Sequence, residues 1–320
     1  MFKRKGSTMF DPLRISETSS PAWLALWHPR KWMSVNILEN FFGRERGVAM
    51  GDNADVAKDS AAHRIEERLT EIVREAGPHK GRIDKRACAA AVIMAGGSGE
   101  RFGNPGGKQL FKLLGKPSLT WAIEAFDSAA DVGQIVVVCP DERADEYRRV
   151  AIDPYEFATP IAFASAGSIR QESAMNGVSA VDPEWEIIVV HDGARPLVTV
   201  DLIERSISML KGDLDIDGVV VGHPSIDTLK VVDEKNIVGT PDRNMFWVAQ
   251  TPQVFRSSLL RRAYTTAMYE GFVGTDDSSL VERMGGIVDM LNGPRDNFKI
   301  TVPEDVAPAI AALLGRVLEN

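Results

Sequence analysis

Short apolar runs alternate with amphipathic stretches along most of this chain of 320 residues, and this alternation limits the possible folds. The apolar runs fall at residues 90–95, 135–139, 161–164, 187–190 and 219–221. Stretches with helical periodicity lie between them, near 119–128, 142–150, 170–181 and 200–210. Continuous apolar strands that alternate with helices are typical of a mostly parallel sheet covered on both faces. We therefore predict an α/β fold of three layers, with ligands bound at the carboxyl ends of the strands.

The first part of the chain has a different pattern. Residues 1–88 hold half of the tryptophans but few strand-like runs. We predict that this N-terminal extension is largely disordered, with one amphipathic helix near 61–76, because termini are ordered only where packing holds them. An interfacial helix around the tryptophans, and translation from an internal start at Met50, are the alternatives. The remaining residues, 89–320, are predicted to form one domain.

The composition argues against several classes of protein. A net charge of −8 gives the chain no general affinity for nucleic acid. Its two cysteines, Cys88 and Cys139, provide neither a zinc site nor a disulfide framework. No stretch approaches the roughly 18 apolar residues of a membrane span, and no apolar signal segment follows the basic start of the chain. The sequence therefore predicts a cytoplasmic protein without nucleic-acid or membrane partners.

A glycine-rich turn follows the first apolar run. Glycine lets the backbone approach a ligand closely, and free backbone N–H groups favour an anion. The turn contains Gly96, Gly97 and Gly99, and Arg101 and Lys108 add positive charge. Its spacing matches neither a P-loop, which needs Ser or Thr after Gly-Lys, nor a dinucleotide fingerprint, whose third glycine would come one residue earlier. We interpret the turn as a triphosphate site; a turn without a ligand is the alternative.

A second cluster follows the run at 187–190, where His191 and Asp192 should lie at the same edge of the sheet. Asp192 is placed to accept hydrogen bonds from substrate hydroxyls or to help hold a metal. The alternative is a turn aspartate that caps the following helix, since Asp-Gly is common in turns. His191 is expected to be a packed strand-end residue and not a catalyst.

Two further cations stand on later segments. Arg243 is predicted either to bind a phosphate with its forked guanidinium or to form a surface salt bridge with Asp242. Lys299 is predicted to lie in a short strand, on the side opposite its apolar neighbours, with Thr301 capping the helix that follows. Residues 222–251 interrupt the alternation, and their pattern predicts an exposed hairpin of the kind that pairs with another subunit.

Together these motifs resemble one known family, the 2-C-methyl-D-erythritol 4-phosphate cytidylyltransferases of the non-mevalonate isoprenoid pathway. The matching blocks occur in the family's order over about residues 89–318: AGGSGERF (95–102), KQ (108–109), HDGARP (191–196), DTLK (227–230), DRN (242–244), TPQ (251–253), TDD (275–277) and NFKIT (297–301). The resemblance implies a Rossmann-like three-layer α/β/α nucleotidyltransferase fold with a protruding β-arm, about 222–251, for dimerisation. It also implies transfer of CMP from CTP to 2-C-methyl-D-erythritol 4-phosphate, with Mg²⁺ and release of pyrophosphate.

The resemblance implies roles for individual residues. Catalysis would fall to Arg101, Lys108 and Lys299. The nucleotide would bind at Ala95, Gly96, Gly97, Gly99, Gly167 and Ser173, the last two near the cytosine. The sugar-alcohol phosphate would bind at Asp192, Thr228, Arg243, Thr251 and Thr275, with Thr228 and Arg243 supplied by the partner subunit of a homodimer. Mg²⁺ would be held mainly by the phosphates of CTP.

The chain departs from the family pattern at three places. Gly107 stands where proline commonly precedes the Lys-Gln pair, and a more mobile loop is expected there; Ser168 follows Gly167 where an acid is common, and Pro241 precedes the block at 242–244. Two other functions stay open. Ribitol-5-phosphate cytidylyltransferases share the fold and the first motifs, although the blocks at 227–230 and 251–253 favour methylerythritol phosphate. A nucleotide-binding protein without turnover is the other alternative, against which the presence of both Arg101 and Lys108 argues.

Overall fold

The computed structural model describes residues 87–97, 99–103 and 107–319. The predictions for residues 1–86, including the helix near 61–76, lie outside the described residues. None of the helices in the described ranges combines the length and the apolar character that a membrane span requires.

A seven-stranded sheet forms the centre of the molecule. Its strands are β1 (Ala89–Met94), β4 (Val132–Cys139), β5 (Ile161–Ser165), β6 (Ile187–Asp192), β7 (Gly218–Pro224), β10 (Trp247–Arg256) and β11 (Val288–Asn292). Their order is β11-β7-β10-β6-β1-β4-β5. Neighbours pair in parallel, except that β10 runs antiparallel to both β6 and β7. The predicted mostly parallel sheet is confirmed.

The strand order reverses next to β1. From β1 the chain moves outward through β4 and β5, and then returns to place β6 on the other side of β1. β1 and β6 are parallel neighbours whose last residues, Met94 and Asp192, stand opposite each other. In open α/β sheets, ligands bind outside the carboxyl ends of the strands at such a reversal. The fold therefore brings the glycine turn and Asp192 to one crevice.

Helices cover both faces of the sheet. They are α1 (Ser118–Ser128), α2 (Ala144–Tyr147), α3 (Arg170–Ser179), α4 (Val200–Gly212), α5 (Ser257–Glu270), α6 (Ser278–Arg283) and α7 (Val306–Glu319), and a π-helical turn, Arg148–Ile152, extends α2. Successive strand residues point to opposite faces. Val92 accordingly packs in the layer with α3 and α5, and Ile93 in the layer with α1 and α4. Because both layers are buried, the strand runs are continuously apolar.

Two small antiparallel pairs complete the described part. β2 (Lys112–Leu113) and β3 (Lys116–Pro117) follow the glycine turn, and β8 (Val231–Asp233) pairs with β9 (Asn236–Gly239) as a hairpin outside the main sheet. The predicted hairpin within 222–251 is thus present. The end of that range belongs to β10, which was not predicted as a sheet strand.

Candidate active site

A cavity of about 710 Å³ opens where β1 and β6 end. Its wall contains nine of the predicted site residues: Gly96, Gly97, Gly99, Arg101, Lys108, Gly167, Ser173, Asp192 and Lys299. Ala95 lies directly beneath it, fully buried, with its carbonyl accepting a hydrogen bond from the Tyr147 hydroxyl at 3.0 Å. The fold therefore brings most of the predicted nucleotide and catalytic residues together in one place.

Two positions in this segment require glycine, one because of close packing and one because of its φ angle. A Cβ on Gly96 would lie 2.5 Å from the Ala166 Cβ, so only glycine lets the turn after β1 pack against the turn after β5. Gly107, with φ of +74°, adopts a left-handed conformation that proline cannot reach. A proline at position 107 would therefore require a different backbone conformation at this residue. A Cβ on Gly97 would meet nothing within 4 Å, so its backbone is open to the cavity.

Lys108 is almost completely buried in this wall. Burial and the neighbouring cations Lys299 and Arg101 lower the pKa of its ammonium to about 8, although Asp192 and Asp305 act in the opposite direction. A lysine held in this way carries its charge at neutral pH, and among the described residues no carboxylate forms an ion pair with it. The site is suited to an anionic ligand.

Asp192 is surrounded by three cations. Its Oδ2 accepts a hydrogen bond from Lys299 Nζ at 3.0 Å and lies 3.5 Å from Arg195 Nε, while its Oδ1 lies 4.0 Å from Arg170 Nε. Burial would raise the pKa of this carboxyl, but the three cations outweigh it and hold the pKa well below its usual range. Asp192 is therefore ionised and oriented. The alternative of a helix cap is wrong, because the hydroxyl of Thr199 caps α4.

Lys299 reaches this carboxylate from a segment that was predicted incorrectly. Residues 297–300 lie outside any strand. They are held by the buried amide of Asn297, whose Nδ2 donates to Thr251 O at 2.8 Å, and by Ile300 N, which donates to Ala194 O at 2.8 Å. These contacts link segments far apart in sequence, so no local pattern indicates them. The predicted orientation holds: Lys299 lines the cavity and Ile300 is buried.

The helix start after Lys299 also differs from the prediction. Thr301 does not cap it; its hydroxyl donates to the Lys299 carbonyl at 3.2 Å. The carboxylate of Asp305 instead accepts from the backbone N–H groups of Thr301 and Val302, at 2.7 and 3.0 Å. An acidic residue in the first turn that reaches back in this way satisfies donors that the helix leaves unpaired.

Thr251 and His191 form a buried support behind Asp192. His191 is fully buried, as expected, and burial lowers its pKa to about 3, so the ring is neutral. Its Nε2 lies 3.2 Å from the carbonyl of Arg195, which only accepts, so Nε2 carries the proton. Nδ1 then accepts from the Thr251 hydroxyl at 3.0 Å, and the same hydroxyl accepts from Asp192 N at 3.0 Å. The Thr251 hydroxyl thus donates one hydrogen bond and accepts another within the protein. Contact between Thr251 and the substrate stays a prediction.

The remaining predicted residues lie away from the cavity wall. Thr228 and Thr275 are exposed. Arg243 is also exposed, and its Nη1 donates to Ile226 O at 3.0 Å. Asp242 accepts from Asn244 N, so among the described residues the alternative salt bridge between Asp242 and Arg243 is not formed. In the single chain, Thr228 and Arg243 are thus available to a ligand or to another subunit.

Sequence reasoning missed two arginines in this site. Arg170 lines the cavity, and Arg195 donates from Nη1 to Asn297 O at 2.8 Å while facing Asp192. Arg195 stands inside the HDGARP block, so its place near the end of β6 was visible in the sequence. Arg170 begins α3, and only the folded chain brings it beside Asp192.

The chain is similar to known proteins of one family. A family model described as IspD, 2-C-methyl-D-erythritol 4-phosphate cytidylyltransferase, matches residues 89–315. A protein of that name from Caldanaerobacter subterraneus subsp. tengcongensis is 42% identical over 221 residues, which are 69% of this chain and 96% of the relative. Another from Syntrophotalea carbinolica is 40% identical over 223 residues, or 69% and 94% of the two chains.

A solved structure shows the same fold. The crystal structure of 4-diphosphocytidyl-2C-methyl-D-erythritol synthase from Anaerococcus prevotii is 27% identical, covers 71% of this chain and 96% of its own, and superposes with a TM-score of 0.63. The α/β fold predicted from the sequence is confirmed by this similarity and by the sheet. The chain belongs to the 2-C-methyl-D-erythritol 4-phosphate cytidylyltransferase family.

Proposed function

We propose that the chain transfers CMP from CTP to 2-C-methyl-D-erythritol 4-phosphate and releases pyrophosphate. The observation that carries this proposal is a cavity whose wall brings several cations together with the glycine turn. Arg101, Lys108, Arg170 and Lys299 all line it. Two anions that must react with each other need such an arrangement, because their mutual repulsion opposes the encounter.

The reaction needs positive charge more than it needs a base. The attacking group is a phosphate oxygen of the sugar phosphate, whose second pKa of about 6 leaves it ionised at neutral pH. Charge then accumulates on the α-phosphoryl group of CTP and on the departing pyrophosphate. In this proposal Lys108 and Arg101 bind the triphosphate and stabilise that charge, and Lys299, whose Nζ donates to Asp192, binds the incoming phosphate.

Mg²⁺ is part of this proposal as a partner of the triphosphate. In the described residues no group of three or more His, Cys, Asp or Glu side chains is placed to hold a metal ion. Asp192 is the one acidic side chain that the described residues contribute to the cavity wall, and it faces cations. This donor set fits a metal carried in by the phosphate oxygens of CTP, where Mg²⁺ would neutralise charge between the phosphoryl groups.

We also propose a homodimer in which the β8–β9 hairpin, residues 231–239, pairs with a second copy. Four apolar side chains of this hairpin are more than half exposed: Val231, Val232, Ile237 and Val238. A two-stranded hairpin is marginally stable alone, and a hairpin with this many exposed apolar side chains gains stability by packing against another surface. Thr228 and Arg243 lie next to the hairpin and would reach the partner's cavity. A cytoplasmic location completes the proposal, because CTP is supplied there.

An assay of pyrophosphate release tests this function. With CTP and Mg²⁺, we expect turnover with 2-C-methyl-D-erythritol 4-phosphate and little with ribitol 5-phosphate. Turnover with ribitol 5-phosphate alone would establish the rival cytidylyltransferase. Nucleotide binding without turnover on either sugar phosphate would leave a binding protein and contradict the proposal.

The lowered pKa of Lys108 predicts a pH dependence of CTP binding. As pH rises through about 8, the free protein loses the ammonium charge, while the bound triphosphate favours it. The affinity for CTP should therefore fall above pH 8, by up to about tenfold per pH unit. Isothermal titration of CTP between pH 7 and 9.5 measures this.

The control is Lys108→Arg, because a guanidinium keeps its charge over this range. Its CTP affinity should vary much less with pH, whatever its absolute value at pH 7. An equal fall in both proteins would assign the pH dependence to another group.

A further inference from the structure

A second buried carboxylate, that of Asp277, lies behind the cavity. Asp277 is 1% exposed and stands just before α6. It forms a two-pronged pair with Arg170, whose Nη1 donates to Oδ1 at 3.1 Å and whose Nη2 donates to Oδ2 at 2.7 Å. Such forked pairs fix both the position and the plane of a guanidinium. Arg170 is thereby held with its Nε edge toward Asp192.

Tyr264 strengthens this pair from the other side. Its ring lies in the buried layer between α5 and the sheet, and its hydroxyl donates to Asp277 Oδ1. Burial, and then the adjacent Asp277, raise the pKa of this hydroxyl, so it stays a donor. Asp277 thus receives three hydrogen bonds, from side chains that begin α3 and lie within α5.

The cations around Asp192 indicate what the pairing of Arg170 with Asp277 achieves. Lys299, Arg195 and Arg170 all lie within 4.0 Å of the single carboxylate of Asp192. Arg170 is the farthest of the three, and its charge is already matched by Asp277. Without that match, the partly buried guanidinium of Arg170 would gain by turning to the nearest carboxylate, because even partial burial makes an unpaired charge costly. The nearest is Asp192, and Arg170 would then compete with Lys299 for it.

We propose that Asp277, held by Tyr264, is a positioning residue: it retains Arg170 and so leaves Asp192 paired with Lys299. The proposal rests on the transferase function for its kinetic consequence, since Lys299 is assigned to the incoming sugar phosphate. Its structural consequence, the choice of partner for Asp192, is independent of that function. A purely architectural role, in which the network only ties α3, α5 and α6 together, is the competing explanation.

The test compares Asp277→Asn with the double variant Asp277→Asn/Arg170→Gln in the full chain. Asp277→Asn should lower kcat by about tenfold, the scale for losing a hydrogen bond to a charged group. It should raise KM for the sugar phosphate and leave KM for CTP nearly unchanged. In the double variant the competing charge is gone, so kcat should recover at least severalfold relative to Asp277→Asn. A double variant no better than Asp277→Asn would overturn the proposal.

Two further variants distinguish a positioning role from a general loss of folding. Tyr264→Phe removes only a hydroxyl, and we expect a loss in kcat of about threefold, with the same change in KM for the sugar phosphate alone. The matched control is Thr120→Val, which removes a fully buried hydroxyl bonded to Ala151 O, on the other face of the sheet. It should lower Tm without changing either KM. If Tyr264→Phe behaves like this control, the network is architectural.

Crystal structures of the variants separate failure of the inference from failure of the proposed function. In Asp277→Asn, the Arg170 guanidinium should contact Asp192 and Lys299 Nζ should move away; in the double variant the Lys299–Asp192 pair should return. These outcomes support the inference even if the wild-type chain shows no transfer. An unchanged Lys299–Asp192 pair in Asp277→Asn would overturn it, whatever the activity.

Discussion

Replacing Lys108 with alanine should lower kcat by at least about 100-fold, the scale for losing one preorganised charged donor from an enclosed site. The ammonium is buried in the cavity wall beside the glycine turn, so it is already oriented before CTP binds. Water would replace it poorly, because bulk solvent must reorganise as charge develops on the α-phosphoryl group. Steady-state pyrophosphate release at saturating CTP and sugar phosphate measures the loss.

The control for this experiment is Lys112→Ala. Lys112 is an exposed lysine on β2, four residues later, and removing it changes the net charge by the same amount. Its kcat should equal that of the wild type. Near-normal turnover in a folded Lys108→Ala protein would refute both the assignment of Lys108 and the triphosphate interpretation of the glycine turn.

The central strands could be predicted because each is buried on both faces. Val92 and Ile93 are adjacent in sequence and fill opposite core layers, so the run shows no polar interruption. β10 could not be predicted in the same way. It contains Gln250, Thr251 and Gln253, which are buried but satisfied by partners distant in sequence. A polar residue in the sequence suggests solvent, and only the folded chain shows that its hydrogen bonds are made inside.

Some residues of the site could likewise be predicted from the strand pattern, and others could not. The glycine turn, Lys108 and Asp192 follow apolar strands, so their place at the sheet edge follows from the strand pattern. The pairing of Arg170 with Asp277 cannot be predicted in this way, because the two residues are 107 positions apart in the sequence. Lys299 lines the cavity, but its segment forms no strand. Its alternation of buried and cavity-facing residues resembles a strand, whereas isolated hydrogen bonds, one from the Asn297 side chain and one from the Ile300 backbone, hold it in place.

Mixed dimers should show the second large effect. Alone, Arg243→Ala should lose about tenfold or more in activity, the scale for a hydrogen bond to a charged group, and Lys108→Ala at least about 100-fold. If Arg243 of one subunit completes the cavity of the other, a heterodimer of the two variants contains one site with both residues intact. Random exchange of equal amounts makes half of the dimers mixed, so the mixture should recover about a quarter of wild-type activity.

Activity recovers in the heterodimer only if Arg243 of one subunit reaches the cavity of the other. The experiment therefore tests directly whether the hairpin arm crosses the dimer interface. Arg243 lies outside the cavity wall of its own chain, next to a hairpin whose apolar side chains face solvent. Heterodimers isolated with two different affinity tags should have about half the wild-type activity, since one of their two sites is complete. If Arg243 instead served its own subunit, each site in the heterodimer would lack one of the two residues, and activity would stay at the level of the variants. Verified heterodimers without recovery would place Arg243 in its own chain's site, and a monomeric wild type would exclude the arm as a dimer contact.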